Sequence, residues 1–199
     1  GGNGGAGGSQ VFAGQSGGHG GTVVSTGLFI GQALHNPTSI TTTGSITTSG
    51  GSGGIGQNND PTALGTASGG SGGIGGLVSF GNATGAITTT GAINTSGGNG
   101  GSGANSFGLG YAGSGGSGGA GGTVDFTSTT GGVSVGAILT SSGNDGNAGV
   151  ATTGPEALTQ CCNVPNGGAV TIAGNFVTTG AITTSGGNGG VGPNTSSVR

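Results

Sequence analysis

Apolar and polar residues alternate in short runs along this chain, and the runs recur. In Thr123-Val124-Asp125-Phe126 the apolar side chains fall at every second position, as they do in Ala169-Val170-Thr171-Ile172. Period-two alternation among β-branched residues predicts strands. Gly20-Gly21-Thr22-Val23-Val24 returns as Gly75-Gly76-Leu77-Val78-Ser79-Phe80, then at Gly121–Phe126 and Gly167–Ile172. A second marker follows each time, at Ser45–Ser49, Ala92–Ser96, Ala137–Ser141 and Ala181–Ser185. The runs that start at 22, 77, 123 and 169 stand 55, 46 and 46 residues apart. Two markers in one order, repeated at such a period, point to a repeat architecture. No apolar stripe of helical period appears, and Gly with β-branched residues opposes helix.

Each repeat divides in two. Blocks 22–49, 77–96, 123–142 and 169–185 are rich in Thr, Val and Ile and read as about three short strands each. A block such as Val78, Phe80, Ile87 and Ile93 cannot bury its own apolar face. Stacked on its counterparts it can, which predicts an all-β parallel β-solenoid of about four coils. Ile46, Ile93, Ile138 and Ile182 would form one structural ladder. Thr48, Thr95, Thr140 and Thr184, two residues on, would share its inward side, each hydroxyl needing a partner there.

The remaining segments, 1–21, 50–76, 97–122, 143–168 and 186–199, are arms of Gly-Gly-x triplets. A triplet phase suits an extended helix with three residues per turn, with two glycine faces along which backbones can approach closely. Ordering glycine costs roughly 0.5–1 kcal/mol per residue more than alanine. Ordered arms therefore require packing on each other, as polyglycine II. Apolar residues near the arm tips (Phe12, Phe107, Leu109, Tyr111 and Leu158) favour order.

Composition sharpens this picture. Of 199 residues 59 are Gly, 3% are charged, and the net charge is −3 with one cation, Arg199. Collagen's Gly-X-Y phase is absent. Nucleic-acid binding needs clustered Lys and Arg, so no nucleic-acid partner is expected. No apolar run approaches the length of a membrane span, so no membrane insertion is expected.

The run Gly-Ala-Ile-Thr-Thr-Thr-Gly-Ala-Ile-Asn-Thr-Ser-Gly-Gly-Asn-Gly-Gly at 85–101, with its variant at 180–190, resembles the β-strand repeats of Gly-rich bacterial surface proteins related to filamentous-haemagglutinin-type adhesins. The resemblance implies an exported, extended right-handed solenoid in adhesion, matrix or filament roles, with no catalytic motif to transfer. The Gly-Gly-Asn-Gly-Gly triplets also resemble Gly-rich repeat domains and antifreeze proteins that form polyglycine-II bundles.

Candidate chemistry is sparse. The acids are Asp60, Asp125, Asp145 and Glu156, and the histidines His19 and His35. Asp125 falls at an outward strand position, and the others read as solvated. No catalytic, cofactor or metal site is expected, and Asn58-Asn59-Asp60 reads as a turn. Cys161-Cys162 is a candidate disulfide. The pair can close a vicinal ring, cross-link two chains or remain thiols, and export favours oxidation. Outward threonines (Thr41, Thr43, Thr47, Thr88, Thr90 and Thr183) raise an ice-binding alternative, with Asn94 and Leu139 interrupting one row. Glycosylation-type Asn-x-Ser/Thr matches carry little weight in so Asn- and Thr-rich a chain.

These features predict a non-catalytic extracellular protein that forms or decorates a fibre, sheath or cell-surface layer. Self-association head to tail into filaments is the expected partnership. The ends at Gly1 and after Gly186 lie inside arms, which predicts continuation into more repeats or the next subunit. A surface adhesin with a glycan or cell-surface partner is the first alternative, and ice binding the second.

Overall fold

A computed structural model describes residues 22–25, 28–30, 33–35, 39–56, 68–105, 112–150 and 164–191. Among these residues the secondary structure is all β. The strands are β1 (Thr22–Ser25), β2 (Leu28–Ile30), β3 (Ala33–His35), β4 (Ile40–Thr42), β5 (Ile46–Thr47), β6 (Leu77–Ala83) and β7 (Ile87–Thr89). They continue as β8 (Ile93–Asn94), β9 (Thr123–Ser128), β10 (Val133–Val135), β11 (Ile138–Leu139), β12 (Val170–Ala173), β13 (Val177–Thr179) and β14 (Ile182–Thr183).

Twelve of these strands form three four-stranded parallel sheets, ordered β1-β6-β9-β12, β4-β7-β10-β13 and β5-β8-β11-β14. Each strand thus pairs with its counterpart from the preceding or following repeat, the stacking of a parallel β-solenoid. Short strands suit the sequence, because Gly91 separates β7 from β8 and Gly136 separates β10 from β11. The chain turns at each such point and starts the next sheet.

Register follows side-chain character. Ile46 lies opposite Ile93, Ile93 opposite Ile138, and Ile138 opposite Ile182. Val78 stands opposite Val124, and Val124 opposite Val170. Along β9 the burial alternates, with Val124, Phe126 and Ser128 inward and Asp125 and Thr127 half-buried. The Phe80 and Phe126 rings stack 4.9 Å apart at 8°, an offset-stacking distance for one row of like residues. Val78, Phe80, Ile87, Ile93, Val124, Phe126, Val133, Val135 and Ile138 make one buried cluster, flanked by Ile40, Ile46, Val170 and Ile172. A shift of one residue in any strand would exchange inward and outward side chains, so the apolar rows fix the register.

One pairing departs from the expected parallel pattern. β2 and β3 form an antiparallel hairpin, Leu28 opposite His35 and Ile30 opposite Ala33. It explains why the first interval is 55 residues rather than 46: block 22–49 carries a hairpin between β1 and β4. Leu28-Phe29-Ile30 and Ala33-Leu34-His35, separated by Gly31-Gln32, carry a hairpin signal inside an otherwise Thr-rich block.

Candidate functional site

The described glycine-rich segments hydrogen-bond to one another beside the strands. Outgoing segments leave after β5, β8, β11 and β14, and return segments re-enter before β6, β9 and β12. A tight neck closes each excursion. The Gly76 N–H donates to the Thr48 carbonyl at 2.6 Å, Gly122 to Thr95 at 2.6 Å, and Gly168 to Thr140 at 2.5 Å. Thr48, Thr95 and Thr140 are fully buried at these necks. The Thr140 hydroxyl also donates to the Gly168 carbonyl at 3.2 Å, while Thr48 Oγ1 and Thr95 Oγ1 find no partner among the described residues. Only one of the three buried hydroxyls thus meets the bonding requirement. The small β-branched shape, filling a corner, is what all three share, and Thr184 at the outer set is exposed.

Beyond the necks the backbones hydrogen-bond in two directions. Within the outgoing set, Gly53 N–H donates to Asn99 C=O and Gly100 N–H to Asn144 C=O, both at 2.8 Å, and Asp145 N–H to Asn188 C=O at 2.9 Å. Between outgoing and return segments a zigzag runs from Gly146 N–H to Gly116, Gly116 to Gly101, Gly101 to Gly70 and Gly70 to Gly54, every bond 2.8 Å. A parallel line joins Gly143, Gly119, Gly98, Gly73 and Gly51, again at 2.8 Å throughout. In the second outgoing segment two N–H groups of each triplet are satisfied this way, those of Gly97 and Gly98 and of Gly100 and Gly101.

The third N–H belongs to the x residue and faces outward, where asparagine serves it. Asn144 N–H donates to Asn99 Oδ1 at 2.8 Å, Asn188 N–H to Asn144 Oδ1 at 2.7 Å and Val191 N–H to Asn147 Oδ1 at 2.9 Å. Asn in these triplets is therefore a backbone acceptor for the next layer. The glycines are required for a different reason. A Cβ on Gly97 would overlap the Gly119 carbonyl, and one on Gly98 would overlap the Gly51 carbonyl. In the second outgoing segment Gly97, Gly98, Gly100 and Gly101 are all closed to a side chain, leaving only the x position open.

One outgoing segment breaks that rule. Its Ser142, Asp145 and Ala148 occupy positions that are Gly50, Gly53 and Gly56, then Gly97, Gly100 and Gly103, in the two preceding segments. Asp145 is only 7% exposed, which corrects its reading as a solvated acid. Its Oδ1 accepts from Gly118 N–H at 2.8 Å, while Oδ2 is buried with no partner among the described residues. Ser142 Oγ accepts from Gly187 N–H at 2.5 Å. In the preceding segments a return backbone carbonyl takes these donors: Gly72 N–H goes to Ser117 C=O, and Gly143 N–H to Gly119 C=O. Side chains here take donors that a return-segment carbonyl takes in the preceding segments. The loss of the double-glycine phase at Ser141-Ser142-Gly143-Asn144-Asp145-Gly146 was the available sequence signal.

The other singled-out residues scatter. Asp125 is half-buried on β9 in the row Ser79, Asp125, Thr171, away from the arm segment that carries Asp145. Asp60, Glu156, His19, Arg199, Cys161, Cys162, Asn58, Asn59 and the tip residues Phe12, Phe107, Leu109, Tyr111 and Leu158 lie outside the described residues. His35 ends β3. No group of three or more His, Cys, Asp or Glu gathers among the described residues, and no described helix is long and apolar enough to cross a membrane.

The outward threonines divide. Thr41, Thr88, Ser134 and Thr178 form one row. Thr47, Asn94, Leu139 and Thr183 form another. The Thr90 hydroxyl is tied to the Thr43 carbonyl at 3.1 Å.

No family model matches the chain, and no curated protein matches it. A similar solved structure is the springtail antifreeze protein from Granisotoma rainieri, described as a nine polyproline type II helical bundle whose crystal waters match the ice lattice. It is 24% identical over 96% of this chain and 94% of that chain, with a TM-score of 0.27. A likeness of that size carries no argument about fold or function.

Proposed function

We propose that this chain is a non-catalytic structural protein of an extracellular fibre, sheath or cell-surface layer. In this reading it is a solenoid of four coils whose Gly-rich arms pack beside it as a polyglycine-II-like slab. The carrying observation is the unbroken zigzag of 2.8 Å backbone bonds from Gly146 to Gly54. Such a lattice gives the glycines it bonds the partners that offset their conformational cost. It creates a broad surface of close-packed backbone rather than a concave site with converging polar groups. Scarcity of charge supports the same role, because layers without like-charge repulsion pack side by side. The resemblance of 85–101 to strand repeats of haemagglutinin-type surface proteins supports export.

The ice-binding alternative is the weaker reading. Its outward rows mix Thr with Ser, Asn and Leu, and the row richer in Thr still contains Ser134. The deciding experiment is immunogold electron microscopy of the native source with an antibody to this chain. Label on external fibres, a sheath or the outer layer is the expected result, and label confined to the cell interior overturns it. Purified protein that halts ice-crystal growth would shift the assignment to ice binding.

A further inference from the structure

The apolar rows are not equally covered along the stack. Ile93 and Ile138 are each 1% exposed, yet Ile182, next in the same row, is 45% exposed. Ile87 and Val133 are 0% and 1% exposed, and Val177 beyond them is 45% exposed. Among the described residues β12, β13 and β14 pair on one side only, as do β1, β4 and β5 at the opposite end. Among the described residues the stack therefore has two ends, each with three strand edges that pair with no other described strand. Unpaired parallel edges with apolar side chains invite another strand.

We propose that the β12–β14 end docks the β1, β4 and β5 end of a second copy of this chain. The proposal rests on the structural reading above and names its partner. The two ends are complementary because they are opposite faces of one repeated interface. Within the chain Ile46 N–H donates to Ala92 C=O, Ile93 to Ala137 and Ile138 to Ala181, at 2.8–2.9 Å. The next donor in this series is Ile182 N–H, and the carbonyl preceding the series is that of Ser45. Likewise Thr48, Thr95 and Thr140 donate to Asn94, Leu139 and Thr183. Thr184 N–H is next, and Thr47 C=O waits at the other end. Ile40, Ile87 and Val133 donate to Ala86, Gly132 and Phe176, so Val177 N–H would meet Ser39 C=O.

Three backbone bonds and two apolar rows thus continue from one copy into the next, Ile182 over Ile46 and Val177 over Ile40. The contact is heterologous, since one end meets the other rather than itself. A heterologous contact that does not close yields an open filament. Four strands spaced about 4.8 Å apart give a subunit step of about 19 Å.

The test uses the full 199-residue chain. Sedimentation velocity and negative-stain microscopy should show unbranched fibres that lengthen with concentration. Fibre diffraction should give a 4.8 Å meridional reflection with a step of about 19 Å. Ile182→Lys places an unpaired ammonium in the dry row and should raise the assembly threshold about a hundredfold. Mixed into wild type at low fraction, it should shorten fibres, because its other end still adds to a growing tip. Ser134→Lys, outward on the inner strand β10 and away from both ends, should leave growth unchanged. Val177→Lys serves as a second end variant if Ile182→Lys does not fold.

A wild type that is monomeric at every concentration overturns the proposal. A dimer that stops at two copies, or fibres that persist with either folded end variant, also overturns it. Failure here is separable from failure of the structural reading. A monomeric chain found in an external sheath refutes only the docking, and fibres formed by a protein confined to the cell interior refute only the location.

Discussion

The strand blocks and the glycine segments run side by side along one stack but are held by different atoms. Between β6 and β9 the contact is Val78 on Val124 and Phe80 on Phe126, side chain on side chain. Between the segments at 97–105 and 112–119 it is Gly101 carbonyl to Gly116 N–H and Gly98 carbonyl to Gly119 N–H, with no side chain involved. One region gains by removing apolar area from water, at roughly 25 cal/mol per Å². The other exchanges water for backbone partners at about 0.5–1.5 kcal/mol net per bond, against the high entropy of glycine. A protein can thus order a chain nearly free of apolar residues, provided it has a dry stack to anchor the necks. Thr48, Thr95 and Thr140 are those anchors, because each belongs to the buried row and its carbonyl receives the returning glycine.

The contrast can be broken at either region. The largest effect is expected from Phe126→Ala, which opens a hole beside Phe80 and should cost about 3–5 kcal/mol. Thermal or denaturant melting checks it, and both regions should melt together, because the glycine segments depend on the stack. Next is Gly98→Ala. Its new methyl would overlap the Gly51 carbonyl, and overpacking of this kind costs about 1–3 kcal/mol. Hydrogen exchange should show Gly98, Gly119 and Gly143 losing protection while Val124 and Ile138 keep theirs.

Asp145 sharpens the comparison, being a side chain that acts as backbone. Asp145→Ala leaves the Gly118 N–H without its acceptor and should cost about 1–3 kcal/mol. Asp145→Asn keeps an acceptor oxygen and should recover most of that loss, a difference read by melting the two variants in parallel. The smallest effect belongs to Asn144→Ala, which removes the acceptor for the exposed Asn188 N–H. Water can replace it, so the expected cost is under about 1 kcal/mol. Exchange at Asn188 should quicken with no measurable change in melting.

How much of this was legible depends on which atoms do the work. Val124 and Phe126 declare an inward face through alternation, and the all-β parallel stacking follows from repetition of such a face. The β2–β3 hairpin is legible in the long first interval and in the Gly31-Gln32 break between Leu28-Phe29-Ile30 and Ala33-Leu34-His35. Asp145 was misread because a charged residue in a glycine-rich run looks solvated unless its triplet phase is counted. The acceptor role of Asn99 and Asn144 depends on which segment lies above which, and nothing in the triplet itself carries that.

From the sequence alone come the two-residue alternation, the spacing between repeats and the three-residue phase of the glycine runs. Each is a local periodicity, and local periodicity is set by backbone geometry. Which glycine meets which carbonyl, which row is dry and which end is open were decided only in three dimensions. Those are contacts between residues some 45 positions apart, as Asn144 and Asn99 are. Glycine carries no side chain to announce its neighbour, so its partners become visible only when the segments are laid against one another.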